Sequence, residues 1–225
     1  MAVYNGSQYI AEQITSILSQ LAADDELIIT DDSSTDSTAF VVQNFNDPRI
    51  KWIKNEGKKG VAKNFENGLR QATGDYIFLS DQDDVWYDNK VAKVTEKLET
   101  VSCVLHNADL IDAKGEKMNQ DLFSIYGTRS GFWRNLKRNT FVGCCMAFRR
   151  EVLQHALPFP EKITMHDMWI ALVCEKKGST GLIAEPLMAY RRHGANASTT
   201  SQKSTFTFSH QVKYRTQMLM SLLGK

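Results

Sequence analysis

The segment Asp81-Gln82-Asp83-Asp84 sets three carboxylates within four residues. Like charges at that spacing oppose one another's ionisation unless a cation or a retained proton compensates. A hard divalent ion such as Mg²⁺ or Mn²⁺, which prefers one or two carboxylates plus phosphate oxygens, is the natural compensator. An exposed acidic turn is the alternative, since Asp favours turns. The preceding run Asp75-Tyr76-Ile77-Phe78-Leu79-Ser80 reads as a strand and favours the metal, because a strand fixes the geometry of the acids at its end. A second cluster, Asp31-Asp32-Ser33-Ser34-Thr35-Asp36, also comes after a β-branched run. A carboxylate there can accept the imide N–H of a uracil or thymine ring. The hydroxyls and Asp36 equally suit the cap of a following helix. In Met165-His166-Asp167-Met168-Trp169 an acid and an aromatic stand at a predicted helix start. Taken alone, Asp167 reads as a helix cap. Its catalytic alternative is a general base beside an acceptor hydroxyl, with Trp169 shaping the pocket. In Tyr190-Arg191-Arg192-His193, His193 is a candidate metal ligand and the arginines candidate phosphate binders, against a plain structural or solvated histidine. Gly57-Lys58-Lys59-Gly60 lacks the spacing of a phosphate-binding P-loop.

Strands and helices that alternate must position these groups. Ile10, Ile14, Ile17, Leu18 and Leu21 predict an amphipathic helix over 7–21. Leu27 to Thr30 predicts a strand, 36–45 a helix, 50–53 a strand, and Val61, Phe65, Leu69 and Ala72 a second amphipathic helix closed by Gly74. That rhythm implies a mostly parallel sheet covered by helices, with ligands beyond the carboxyl ends of the strands. Further on, 103–111 and 142–148 read as strands, 167–176 as a helix, 113–135 as loop-rich and 194–203 as a polar loop. Phe208, Val212, Leu219, Leu222 and Leu223 predict a C-terminal amphipathic helix.

The 225 residues suit one large domain or one domain with an appendage, and 42% hydrophobic with 24% charged residues is ordinary for a globular chain. A formal net charge of +1 is too small for a generic nucleic-acid binder, so no nucleic-acid partner is expected. The balance is uneven. No acidic residue follows Glu185, while Arg191, Arg192, Lys203, Lys213, Arg215 and Lys225 do, so the tail carries +6 and the rest −5. Such a tail suits an anionic partner, an anionic membrane surface included, or simply a solvated surface. Cys103, Cys144, Cys145 and Cys174 show no CxxC spacing and read as buried thiols of a reducing compartment. With no secretory leader pattern at Met1 and no 18-residue apolar run, the expected location is the cytoplasm, extending to the inner face of the cell membrane.

Taken in order, Tyr4-Asn5-Gly6, Asp31 to Asp36, Gly60 to Asn64, Gly74-Asp75-Tyr76-Ile77 and Ser80 to Trp86 resemble glycosyltransferase family 2. Gly143-Cys144-Cys145-Met146, His166-Asp167-Met168-Trp169 and Tyr190 to His193 resemble its bacterial rhamnosyltransferase-like branch, which builds surface polysaccharides. The resemblance implies a GT-A fold: a Rossmann-like, mixed, mostly parallel α/β sheet flanked by helices with a C-terminal helical tail. It implies a GT-A domain over 1–200, with a nucleotide-binding half at 1–105 and an acceptor half at 106–200, followed by the amphipathic helix at 201–225. It implies a metal-dependent inverting transferase using Mn²⁺ or Mg²⁺, dTDP-rhamnose or a UDP-sugar as donor, and a glycan or undecaprenyl-diphosphate-linked acceptor. By matching position, Ala2, Tyr4, Asp32, Asn64 and Asp81 would bind the nucleotide, Asp83 and His193 the metal, and Asp167 would be the catalytic base. Asp84, Trp86, Gly143 and Trp169 would border the acceptor. The family's first strand has several hydrophobic residues ahead of the segment at Tyr4, so a stub is expected here.

Two rivals stand beside this reading. Tyr76 to Val85 also mimics the strand-plus-DxDxV motif of haloacid-dehalogenase-type phosphatases, with Asp81 as nucleophile and Asp83 as acid. That motif leaves Asp31-Asp32 and the segment around Asp167 unexplained. The other rival is a nucleotide- or glycan-binding relative without turnover.

Overall fold

The computed structural model describes residues 1–194, 196 and 208–223, without the side chains of Phe208 and His210. In chain order the elements are β1 (Ala2–Val3), α1 (Ile10–Leu18), β2 (Leu27–Asp31), α2 (Thr38–Gln43), β3 (Ile50–Lys54), α3 (Val61–Gln71), β4 (Tyr76–Phe78), β5 (Val85–Trp86) and α4 (Lys90–Leu98). Then come β6 (Cys103–Ile111), β7 (Lys117–Asp121), α5 (Leu122–Tyr126), α6 (Phe132–Lys137), β8 (Met146–Arg149), α7 (Leu153–Ala156), α8 (His166–Lys177), β9 (Thr180–Arg191) and α9 (Phe208–Leu223).

The strands form a parallel sheet ordered β1-β2-β3 and a second sheet ordered β4-β8-β6-β9-β5, with β7 on β6. In the second sheet only β6–β9 is parallel, while β4–β8, β5–β9, β6–β7 and β6–β8 are antiparallel. The sheets meet where the Ala2 N–H donates to the Ser80 carbonyl at 3.3 Å. The result is the expected mixed α/β arrangement, parallel at β1-β2-β3 and at β6–β9. Leu27, Ile29, Thr30 and Asp31 of β2 are all buried, as a strand covered on both faces requires. Ile10, Gln13, Ile14 and Ile17 of α1 are buried at the predicted helical spacing. Ala62, Phe65 and Leu69 of α3 are buried in the same way.

Strand β1 is two residues long. Between β2 and β4 lies a cleft of about 710 Å³, lined among others by Ile17, Leu27, Phe65, Leu69 and Ile77; it does not reach the acidic loop at Asp81–Asp84. All four cysteines are buried and unpaired.

Three expectations change. β9 has no counterpart among the predicted strands, because Gly181 and Pro186 interrupt its pattern. Pro186 falls where the β6–β9 register shifts, between His106↔Ile183 and Asn107↔Pro186, the kind of irregularity that tolerates a missing N–H. The stretch 113–135, expected to be loop-rich, contains β7, α5 and most of α6. Gly74 does not close α3: the cap is Ala72 in extended backbone, and Glu26 accepts the N–H groups of Thr73 at 2.7 Å and Gly74 at 3.3 Å. Most of the polar loop expected over 194–203 lies outside the described residues.

Asn64 ties α3 to the sheet, its amide donating to the carbonyls of Thr30 at 2.7 Å and Val3 at 3.3 Å. Asn64→Ala takes one donor from each buried carbonyl, the Val3 carbonyl keeping the Asp32 N–H at 2.9 Å. It is expected to lower unfolding free energy by about 1–3 kcal/mol in urea titration.

Candidate active site

The acidic loop hangs from the end of β4 and is gripped by the end of β9. The Arg191 N–H donates to Asp84 Oδ1 at 3.0 Å, and Arg191 Nε donates to the Asp83 carbonyl at 2.8 Å. The same guanidinium pairs with Glu12 at 2.6 Å and lies 4.8 Å from the Tyr9 ring centre. Its side chain is 3% exposed. Arg191 is therefore a buried clamp, and the phosphate-binding reading of this residue is corrected. Two residues on, His193 Nε2 lies 2.7 Å from Asp83 Oδ2, which also accepts from Asn196 Nδ2 at 3.2 Å. Asp83 and His193, separated by 110 positions in the chain, are thus brought into contact.

Burial and crowding shape the acids. Desolvation, with Asp83 and Asp167 nearby, pushes the Asp81 carboxyl up to about 7. Burial, then Asp83 and Asp81, pushes Asp84 well above the usual carboxylate range. Asp84 Oδ2 is buried and finds no hydrogen-bond partner among the described residues. Asp81, Asp84 and Cys144 bring one potential ligand atom each within 4.8 Å of one another. An orphaned Asp84 oxygen with the Asp81 carboxylate close by fits a hard divalent ion. Below the cluster, Lys90 is wholly buried. It donates to the Cys144 carbonyl at 3.3 Å and stands 4.0 Å from the Trp86 ring centre. Burial pulls its amine down to about 8, against the pull of Cys145, Cys144, Asp84 and Asp81.

The end expected to take a nucleotide is built from the carboxyl ends of β1 and β2. The Gln82 side chain acts as a short piece of strand: its Oε1 accepts the Tyr4 N–H at 2.8 Å and its Nε2 donates to the Tyr4 carbonyl at 3.0 Å. Gly6 is packed so closely on that amide that an added Cβ would overlap it. Tyr4 itself is 57% exposed, and Ala2 is half-buried. Asp32 is braced by Asn55 Nδ2 and by the Gly60 N–H, each at 2.8 Å; Gly60 has φ of +116°, which favours glycine. Asp31, buried, accepts from the N–H and hydroxyl of Ser34 and so holds the turn. Asn64 departs from the expectation: its amide donors are spent on the sheet, and the side chain is buried.

Around Asp167, Met165 is the residue that caps α8, without a side-chain bond. Asp167 stands one position inside the helix, where it accepts the Met168 N–H at 2.6 Å and a bond from the Asn139 side chain. Burial pushes its carboxyl up to about 6. Gly143 admits His166, since a Cβ there would stand 2.7 Å from His166 Nε2 and 3.5 Å from Asp167 Cβ. His166 stacks on Phe65 at 3.9 Å. Three acceptor assignments are corrected because the residues are walled into the core. Trp169 is fully buried with its indole N–H on the Ala156 carbonyl at 2.8 Å. Trp86 is buried under Lys90, and Asp84 is buried against Arg191. The C-terminal helix α9 packs on the core through Met218 and Leu222. The Tyr214 hydroxyl accepts the Met165 N–H at 3.1 Å, at the start of α8.

Sequence patterns do not single out Gln82, Lys90, Asn196 or Asn139. Lys90 leaves a signal all the same: with Val94 and Leu98 it forms the buried i, i+4, i+8 stripe of α4.

Residues 1–157 match the family model described as glycosyl transferase family 2. The chain belongs to this family, which sets aside the phosphatase reading. It is 31% identical over 224 residues to an uncharacterized glycosyltransferase, alr2836, of Nostoc sp., covering 89% of this chain and 67% of that protein. It is 30% identical over 162 residues to the Escherichia coli UDP-Glc:alpha-D-GlcNAc-diphosphoundecaprenol beta-1,3-glucosyltransferase WfgD, covering 71% of this chain and 62% of that one. To the Shigella flexneri dTDP-rhamnosyl transferase RfbG it is 28% identical over 219 residues, covering 87% and 72%. Among solved structures, S. aureus TarS 1–349 in complex with UDP-GlcNAc superposes with a TM-score of 0.73 at 17% identity, covering 97% of this chain and 65% of that one. The Pyrobaculum calidifontis mannosyltransferase PcManGT, solved with GDP-Man and Mn²⁺, superposes at 0.61 and 21% identity, covering 99% and 61%. These structures share the fold, which is GT-A. The chain spans about two thirds of the length of the proteins it matches. Among the described residues no helix is long and apolar enough to cross a membrane.

The raised acids carry a pH signature. Asp81 in the folded chain titrates at about 7 against 3.8 for a free carboxyl. The folded state therefore holds a proton that the unfolded state has lost across that interval, and stability falls as pH rises from about 4 to about 7. Asp81→Asn removes this penalty. In metal-free buffer at pH 8 the variant is expected to melt about 4 °C or more above the parent. The difference should close as pH falls towards 4, as followed by calorimetry.

Proposed function

We propose that the chain transfers a sugar from a nucleoside diphosphate donor to an acceptor hydroxyl with inversion at the anomeric carbon. The observation that carries the reading is the gathering of Asp81, the Asp83–His193 pair and Asp167 beside the braced Asp32 turn. Asp32 accepts the imide N–H of a pyrimidine base, with Ala2 and Tyr4 beside it. Asp81 supports the nucleotide. Asp83 and His193 hold Mn²⁺ or Mg²⁺, their carboxylate and imidazole suiting such an ion. When bound, a divalent ion neutralises the charge of the departing diphosphate.

Asp167 does the proton work. A carboxyl near 6 is mostly ionised at neutral pH yet more basic than an ordinary aspartate, the poise a general base needs. It takes the proton of the acceptor hydroxyl as that oxygen forms its bond to the anomeric carbon. The carbon–oxygen bond to the diphosphate breaks on the opposite side, and the configuration inverts. Gly143 beside Asp167 makes room for the His166 ring, which packs next to that carboxylate. The names of WfgD and RfbG support a UDP-sugar or dTDP-rhamnose donor, and the name of WfgD supports a glycan or undecaprenyl-diphosphate-linked acceptor. On this reading the enzyme serves bacterial surface polysaccharide synthesis from the cytoplasm, at the inner face of the membrane.

Two measurements test this. In thermal-shift assays dTDP or UDP, but not ADP, should raise the melting temperature in the presence of Mn²⁺, and Asp83→Ala should abolish the effect. In donor turnover, Asp167→Asn should cost on the order of 10²–10⁴ in kcat with nucleotide affinity retained. Unchanged turnover in that variant overturns the assignment of the base.

A further inference from the structure

Sugar transfer at the acidic loop makes no use of the outer face of α6. Trp133 there is 71% exposed, and Arg129, Arg134, Lys137 and Arg138 around it are exposed too. No acidic residue occurs between Asp121 and Glu151. Among the described residues, none of these four cations is in an ion pair. Glu175, which approaches this loop, accepts the Gly131 N–H at 2.8 Å. At 100° per residue, Trp133, Arg134 and Lys137 fall within about 100° of the helix circumference, and Arg138 follows in extended backbone.

The inner face is pinned. Asn135 is fully buried, donating to the carbonyls of Arg129 at 2.9 Å and Gly131 at 3.2 Å and accepting from the Thr140 hydroxyl at 2.9 Å. Leu136 is buried beside it. Trp133 also meets the Phe132 ring edge-on at 5.1 Å. A rigid platform thus holds an indole outward in a ring of unpaired positive charge.

We propose that α6 docks on an anionic lipid bilayer, with Trp133 at headgroup depth and the four cations on lipid phosphates. Indole rings settle at the membrane–water boundary, and each cation near an anionic surface adds about fivefold in affinity. Charge complementarity selects this occupant. A second copy docking face to face would meet its own positive charge, and a neutral glycan stacked on Trp133 gains little from four cations. The placement serves the proposed reaction, on which its purpose rests. Asn139, just beyond α6, bonds Asp167, so a seated α6 holds the base at the surface where a lipid-linked diphosphate acceptor lies.

The test needs neither nucleotide nor turnover, so its failure is distinct from failure of the transferase reading. The full chain is co-sedimented with phosphatidylcholine vesicles with and without about one third phosphatidylglycerol, and indole emission is followed with brominated lipid. Binding should require the anionic lipid and be accompanied by quenching of the Trp133 emission. Trp133→Ser should lose that quenching. Combined Arg134→Gln, Lys137→Gln and Arg138→Gln should weaken partitioning on the order of 100-fold, with the melting temperature unchanged as the check that the fold is intact. Equal binding to neutral vesicles overturns the proposal. So does binding that survives both variants and is lost instead with Lys213→Gln and Arg215→Gln in α9. Self-association that buries Trp133 without vesicle binding overturns it too.

Discussion

Carboxylates crowded at the ends of buried strands set the terms for the rest of this molecule. Asp81, Asp83, Asp84 and Asp167 share one region, and burial makes charge expensive on Asp81, Asp84 and Asp167. The chain offsets that cost with groups drawn from its whole length. Lys90 stands beneath the cluster, Arg191 clamps the Asp84 carboxylate and the Asp83 carbonyl, and His193 and Asn196 hold the Asp83 carboxylate. Even so, Asp84 keeps an unsatisfied buried oxygen. Unsatisfied buried polar atoms are rare in folded proteins and concentrate where function requires them. Stability here is sacrificed at the place where, on the proposed reading, a cation would restore it.

The two ends of the site are mechanically joined. Gln82 lies between Asp81 and Asp83 in sequence yet spends its side chain on the Tyr4 backbone. The acidic loop and the turn after β1 therefore move as one body. Gln13, fully buried in α1, fixes the same junction from behind by donating to Ser80 Oγ at 2.8 Å and the Asp81 carbonyl at 3.2 Å. On the far side, α9 reaches the first turn of α8 through the Tyr214 hydroxyl, two residues before Asp167.

Much of this is legible in the sequence because local patterns carry it. The periodicity of α1 and α3, the apolar run of β2 and the aspartates at strand ends all follow from nearest-neighbour chemistry. The chain-distant roles are harder to see. Arg191 looks like a phosphate ligand in its tetrapeptide and becomes a clamp only because β9 runs antiparallel to β5, beside Asp84. Trp86 and Trp169 look like pocket aromatics next to their acids, but strand and helix geometry turn both into the core. β9 itself is masked by Pro186, whose missing N–H is tolerated only because the partner strand shifts register there. Lys90 follows the buried stripe of α4, and its charge hides the pattern.

The distance in sequence between the two sides of the Asp83–His193 contact has a consequence for how the protein comes into being. The residues lie 110 positions apart, and β9, which positions His193, is among the last strands to be made. At ribosomal speeds of about 5–20 residues per second, the acidic loop waits on the order of 5–20 s after its own synthesis for the strand that completes it. During that interval the acidic loop has neither Arg191 nor His193 against it, and closure onto β9 is the late step that clamps it.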